Sequence, residues 1–245
     1  MLRSLVGVLL LSAFNVSASF AGDCQAFLNK QEFEDFQLEH GKSLKGVETF
    51  EESNIPPDAD VGLPNPLRGN VPNVDPQGIG FPTGLEQKNI VIQDNITPGC
   101  SPPNPNPGNT GQDLVVLGPG RFGANSKKVG ANINQKSLDL IFPDPGHNHT
   151  GVGFELGIIS AGDPTWHITV YGKSGTEIGQ FVLPGGEPEP AKAFFGISCD
   201  LGIGRINICA ATNHFEIVDD IQMWEELPVA VEPATWGWIK NIYHR

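Results

Sequence analysis

Apolar residues recur at every second position along residues 203–224: Ile206 and Ile208, then Phe215 and Ile217, then Ile221 and Met223. A period of two sends one face of a strand into a core and keeps the other face out of it. The stretch therefore predicts two strands joined by a short polar turn, closing the fold. Asp219 and Asp220 interrupt the second strand. Aspartate is a poor strand residue, so the pair asks for a local cause.

Runs with strand length and strand residue types also occupy 114–117, 137–142, 151–159, 166–171, 177–183 and 192–197. Gly118-Pro119-Gly120, Asp144-Pro145-Gly146, Asp163-Pro164, Lys173-Ser174-Gly175 and Pro184-Gly185-Gly186 mark turns between them. Residues 173–176 lie between two alternating runs, which predicts a hairpin over 166–183. Residues 46–54 read as the first strand, with Val47, Thr49 and Glu51 on one side and Glu48, Phe50 and Glu52 on the other. With the closing pair this makes about ten strands, near the count of a jelly roll. The predicted fold class is all-β, a jelly-roll β-sandwich over 46–227 with a short N-terminal helix in 22–45.

That helix is expected over 24–39. Phe27, Leu28, Phe33, Phe36 and Leu38 form its apolar stripe, and Lys30, Gln31, Glu34 and Gln37 its polar one. It would pack on the outside or an end of the sandwich, with Gly41 as its stop. Residues 55–111 carry much of the proline, so most of that segment is expected to be loop, with one strand at 89–93 and an exposed loop at 98–112.

The 245 residues carry 28 acidic against 15 basic side chains, a formal charge of -13. Such a surface repels phosphate, so nucleic acid and anionic lipid are not expected partners. It suits a soluble extracellular protein and hard cations such as calcium. Residues 1–21 read as an export signal: Arg3 at the start, an apolar run over 5–11, and the small-residue cleavage site Ser19-Phe20-Ala21. The apolar run is too short for a membrane anchor, and no integral span is expected in the mature chain. Localisation is thus secreted, periplasmic or cell-surface. Four cysteines, an even count, suit disulfides in an exported chain. Cys199 with Cys209 across the turn 200–204, and Cys24 with Cys100, are the expected pairs; free buried thiols are the alternative.

Several segments resemble a group of exported bacterial β-sandwich proteins. They are Gly151-Val-Gly-Phe-Glu-Leu, Trp166-His-Ile-Thr-Val-Tyr-Gly, Phe194-Phe-Gly-Ile, Gly204-Arg-Ile-Asn-Ile, the closing Asp219-Asp-Ile and the early Phe50-Glu51-Glu52. The fold looks like that of carbohydrate-binding modules and galactose-binding-like jelly rolls. The tail 228–245 contains Glu232-Pro233-Ala234-Thr235-Trp236, which is similar to the Pro-Glu-Pro sorting motif of the PEP-CTERM class. Val231 stands where that class has its first proline, and no transmembrane run follows. Trp236, Ile239 and Tyr243 fall on one helical stripe of that tail.

In a jelly roll the first and last strands are neighbours, which would bring Glu51 or Glu52 near Asp219 and Asp220. Calcium takes six to eight oxygens from carboxylates and carbonyls, and the resemblance to carbohydrate-binding jelly rolls implies a structural calcium joining the terminal strands here. The alternative is that the aspartates cap a bulge or pair with Arg205 or a lysine. His147 and His149 have the spacing to chelate a transition metal, with Asp144 as a third group; a polar turn is the simpler account.

Catalytic signatures are sparse. No Gly-x-Ser-x-Gly elbow occurs, Ser198-Cys199-Asp200 has the pattern of a turn, and no phosphate loop is present. Glu155, Glu177 and Glu216 sit in strands, where alternating exposed glutamates are usual. Trp166, Tyr171, Trp224, Arg121 and Phe122 are candidates for a sugar-stacking face, although strand phase places Trp166 and Trp224 in the core. The expected function is a non-enzymatic exported binding or surface/matrix protein with a glycan ligand. A carboxylate-dependent glycan hydrolase or lyase, and a structural or adhesive subunit, are the alternatives.

Overall fold

The computed structural model describes residues 17–20, 24–95, 114–131, 137–143, 147–158, 165–183, 193–210 and 216–227. In chain order the first elements are β1 (Ser17–Phe20), β2 (Cys24–Phe27), α1 (Lys30–Glu39), β3 (Lys42–Glu48), β4 (Asp60–Leu63), β5 (Leu67–Arg68), β6 (Asn73–Val74), β7 (Gly80–Phe81) and β8 (Val91–Asn95). Then come β9 (Leu114–Leu117), β10 (Lys128–Ala131), β11 (Ser137–Ile141), β12 (His149–Ile158), β13 (Trp166–Gly172), β14 (Glu177–Leu183), β15 (Ala193–Cys199), β16 (Ile203–Ala210) and β17 (Glu216–Glu226).

A seven-stranded sheet runs β1-β14-β13-β16-β11-β8-β5, and an eight-stranded sheet runs β2-β15-β12-β17-β10-β9-β4 with β3 also paired to β17. From β11 onward the chain crosses repeatedly between the sheets, which is jelly-roll winding. Leu138, Ile168 and Ile206 of the first sheet meet Phe154, Ile197 and Val218 of the second in one core. The all-β sandwich expected from the alternation is the fold observed.

The strand expected to open the sandwich is β3, and it does lie beside the last, although β1 and β2 precede it at the sheet edges. Antiparallel pairing runs from Glu48 opposite Ile221 to Lys42 opposite Glu226. Along the same edge of β17, Ile217 and Val218 pair with β10 instead. Asp219 and Asp220 stand where the edge changes partner, beside a register shift against β12. Asp220 has φ +48°, a left-handed conformation that aspartate tolerates better than most residues. The aspartate pair thus marks a bulge.

Helix α1 is shorter than expected: 24–27 form the edge strand β2, paired with β15. Asn29 starts the helix, accepting the Glu32 N–H at 3.1 Å, as N-cap residues do. The helix lies on the outer face of the eight-stranded sheet. Glycines make that possible: a Cβ on Gly153 or Gly196 would stand 2.7 or 2.6 Å from the ring of Phe33. Phe33 fills this trough with Phe27, Phe36, Phe194 and Trp224 around it. Gln37, expected on the solvated stripe, is buried against Gly151, while Leu28 and Leu38 are exposed. Packing against the glycine trough sets the buried face here, over the residue hydrophobicity alone.

The strand expected over 46–54 is found at 42–48, and the chain turns at 51–53 where the strand had been expected to continue. The proline-rich segment is better ordered than its composition implies. Up to residue 95 it contains four short strands besides β8, and it buries Leu63, Leu67, Phe81, Leu85 and Ile90. Residues 98–112 lie outside the described residues. The closing pair is two strands, but β16 and β17 belong to opposite sheets.

The same switching corrects the disulfides. Cys199 pairs with Cys24, its register partner across β15 and β2. Cys209, on β16 in the other sheet, is also disulfide-bonded. Cys100 lies outside the described residues. Closeness in sequence between Cys199 and Cys209 misled because the turn between them carries the chain from one sheet to the other. Trp166 lies in the sandwich core, as expected; Trp224 is buried instead on the outer face, under α1 with Phe27 and Phe33, because Met223 beside it takes the core side.

Candidate functional site

The four acids expected to share a cation lie near one seam but hold separate partners. The carboxylate of Glu51 accepts the Lys127 N–H at 3.1 Å, and the Lys127 ammonium donates to the carbonyl oxygens of Glu51, at 2.9 Å, and Ser53. The neighbouring Ser126 hydroxyl donates to Asp219, whose other oxygen accepts the Asp220 N–H at 2.9 Å. Asp220 pairs with Lys30 at 3.7 Å. Glu52 accepts the Glu86 N–H at 2.9 Å. Ser126-Lys127 thus ties the turn after β3, held by the ammonium, to the bulge in β17, held by the hydroxyl. Lys127→Met should cost about 1–2 kcal/mol, the worth of charge-assisted hydrogen bonds at a partly exposed site. Urea denaturation of the variant measures it; an unchanged midpoint would show the tie to be idle.

Glu48, at the end of β3, is buried. Its two oxygens accept the Phe50 N–H at 3.0 Å and the Gln87 N–H at 2.9 Å. Burial pushes its carboxyl up to about 8, and the neighbouring Glu52 carboxylate adds to the rise.

The histidine pair finds a third group that sequence spacing did not offer. His149 is opposite Glu225 in the β12–β17 ladder. Glu225 Oε1 lies 2.7 Å from His147 Nδ1 and 3.2 Å from His149 Nδ1. The two rings are parallel at 5.7 Å, and Asn89 Nδ2 lies 3.0 Å from His149 Nε2. Asp144 is outside the described residues. One carboxylate serving two imidazoles knots the start of β12 to the end of β17. Among the described residues, no group of three or more histidine, cysteine or acidic side chains is arranged to hold a metal ion.

The outer face of the seven-stranded sheet carries a polar ladder. Leu138, Leu140, Ile206, Ile208, Ile168 and Val170 point into the core, so the intervening Asp139, Asn207, Arg205, Thr169 and Tyr171 point out. Asn207 Nδ2 donates to Asp139 Oδ1 at 2.6 Å and to Ser137 Oγ at 3.0 Å. Arg205 donates to Asp139 Oδ2 at 3.3 Å, and its guanidinium lies 3.9 Å above the centre of the Tyr171 ring. Both Arg205 and Tyr171 are half-buried.

They line an open basin of about 400 Å³ that ends at Phe142, Pro143 and Lys173. A second depression, also about 400 Å³, lies across the hairpin tip beside Lys173 and Glu177. Of the five residues considered for a sugar face, only Tyr171 is here. Arg121 and Phe122 stack on each other at 4.0 Å elsewhere, with Arg121 paired to Asp60. Arg205, Asn207 and Asp139 were missed, although the outward phase of Gly204-Arg-Ile-Asn-Ile already put Arg205 and Asn207 on one face.

No family model matches the chain, and no curated protein matches it. Among solved structures, the enzymatically active domain of tailspike protein 4 from bacteriophage CBA120 is similar over 57% of this chain and 19% of that one, at 14% identity and a TM-score of 0.23. A likeness this distant carries nothing over to function.

Proposed function

We propose that this chain is an exported β-sandwich binding protein of the cell surface or matrix, and that it takes a glycan in the basin at Tyr171 and Arg205. The carrying observation is the Tyr171–Arg205 stack beside the buried Asp139–Asn207 pair. An aromatic ring presents a surface for sugar C–H groups, and a planar guanidinium presents paired donors to neighbouring hydroxyls. The basin is shallow and open, which suits a chain-like ligand lying across it. The leader-like residues 1–21 and the Cys24–Cys199 disulfide support export; cleavage after Ala21 would remove the edge strand β1 and leave β14 at the sheet edge. Among the described residues, no helix is long and apolar enough to cross a membrane.

A glycan array probed with the mature protein, with and without calcium, tests the proposal. Tyr171→Ala and Arg205→Lys should each weaken the positive spots about tenfold, equivalent to losing one good contact. No spot above background for the wild type would sink it. Calcium belongs to the same proposal, as an ion joining the Glu51–Ser53 turn to Asp219 and Asp220. A melting temperature raised by calcium supports that ion; an unchanged one leaves the bridging to Lys127.

A further inference from the structure

Beside the C-terminal end of α1, on the opposite sheet from the basin, an amine meets a hydroxyl. Lys42, the first residue of β3, is 7% exposed. Its Nζ donates to Ser198 Oγ at 2.7 Å and to the Thr150 carbonyl at 3.3 Å. Ile197 and Cys199 point into the core, so Ser198 between them faces outward, towards the helix side. The pair opens on a pocket of about 430 Å³ whose other walls include Gln25, Phe36, His40, Asp200 and Glu226. Burial lowers the Lys42 amine below its ordinary range; Glu226 and Asp200 oppose that shift without cancelling it. A serine in contact with a buried amine is the arrangement of an activated nucleophile and its base.

We propose that Ser198 and Lys42 form a serine–lysine nucleophile pair that accepts the acyl group of a small ester entering this pocket. Once Lys42 has lost its proton, Ser198 Oγ bonds to the ester carbonyl carbon and gives its own proton to the Lys42 amine. The bond from that carbon to the alcohol oxygen then breaks, and Lys42 returns the proton to the departing alcohol. Water repeats the exchange: it adds to the acyl carbon, Lys42 takes its proton, the carbon–Oγ bond breaks, and Ser198 recovers a proton as the acid leaves. Asp200 and Glu226 steady the ammonium formed in each half. Gln25 is directly opposite Ser198 in the β2–β15 ladder, so its side-chain amide serves as a donor to the developing oxyanion. The site is separate from the basin, and glycan binding can fail while acylation stands, or the reverse.

The test treats the full chain with p-nitrophenyl acetate and with a fluorophosphonate probe, and locates any adduct by peptide mass spectrometry. The expected result is an adduct on Ser198 that forms faster as pH rises through one ionisation below the ordinary lysine range. Ser198→Ala removes the adduct. Lys42→Arg keeps the charge and the hydrogen bonds but cannot act as a base, and slows acylation at least about a hundredfold. Gln25→Ala slows it less. No adduct at position 198 in the folded wild type overturns the proposal, as does Lys42→Arg reacting at the wild-type rate. If Lys42→Arg does not fold, the wild-type pH profile decides, and a flat profile is equally fatal.

Discussion

Raising the pH from about 5 to about 9 should cost this protein about 3–5 kcal/mol of folding stability, most of it through Glu48. The folded protein holds the Glu48 carboxyl near 8 against an ordinary value of 4.5, chiefly because burial penalises the charge. A carboxyl raised in the folded state binds its proton more tightly there than in the unfolded chain. Its contribution is therefore complete below the ordinary value and is lost as pH rises towards the folded value, with no further change above it.

Glu52 Oε2 is buried and receives no ordinary donor. A proton on Glu48 supplies one, and the side-chain hydrogen bond between the two glutamates helps hold Glu48 protonated. Glu52→Gln puts an amide N–H at that place and removes the like charge. It should recover about 1–3 kcal/mol at pH 9 and flatten the slope. Denaturant midpoints taken across the pH range measure both effects. The difference between wild type and Glu52→Gln isolates this pair and is the informative quantity. Equal slopes for the two proteins would refute the shared proton.

Phe33→Ala should be the costliest single truncation on the helix, at about 3–5 kcal/mol. The ring is fully buried, with Phe27, Phe194 and Trp224 within 6.2 Å between centres. It lies over the two glycines of β12 and β15, which offer no side chain of their own to fill the space it leaves. Loss of helix docking would also open the Lys42 pocket, whose wall includes Phe36 and His40. Denaturation followed by helix circular dichroism tests this. A loss under about 1 kcal/mol would mean that α1 is a loose appendage, since buried aromatic truncations ordinarily cost several times that.

Much of the sandwich was legible because its strands have one wet and one dry face. Leu138 and Leu140, Ile168 and Val170, and Ile206 and Ile208 alternate cleanly, and each pair is in the core. The adjacency of first and last strands followed from the count and order of strands. Legibility failed where side chains meet through sheet switching. Cys199 and Cys209 are close in sequence and lie in different sheets. Lys42 and Ser198 are 156 positions apart and touch. No local pattern encodes such contacts, since neither residue alone breaks the rule for its element. The proline-rich segment misled differently: prolines in its turns hid Leu63, Leu67 and Phe81, which sit in strands too short to show a period.

The join between Lys42–Glu48 and Glu216–Glu226 also fixes when the molecule can form. Until synthesis has passed residue 221, β3 has no partner, and Cys24 waits for a sulfur 175 positions later. A chain whose earliest strands depend on its latest folds slowly and late. Pairs such as β9–β10 and the β13–β14 hairpin need nothing beyond residue 183, so the seam joining the two ends of the chain is the last part to close.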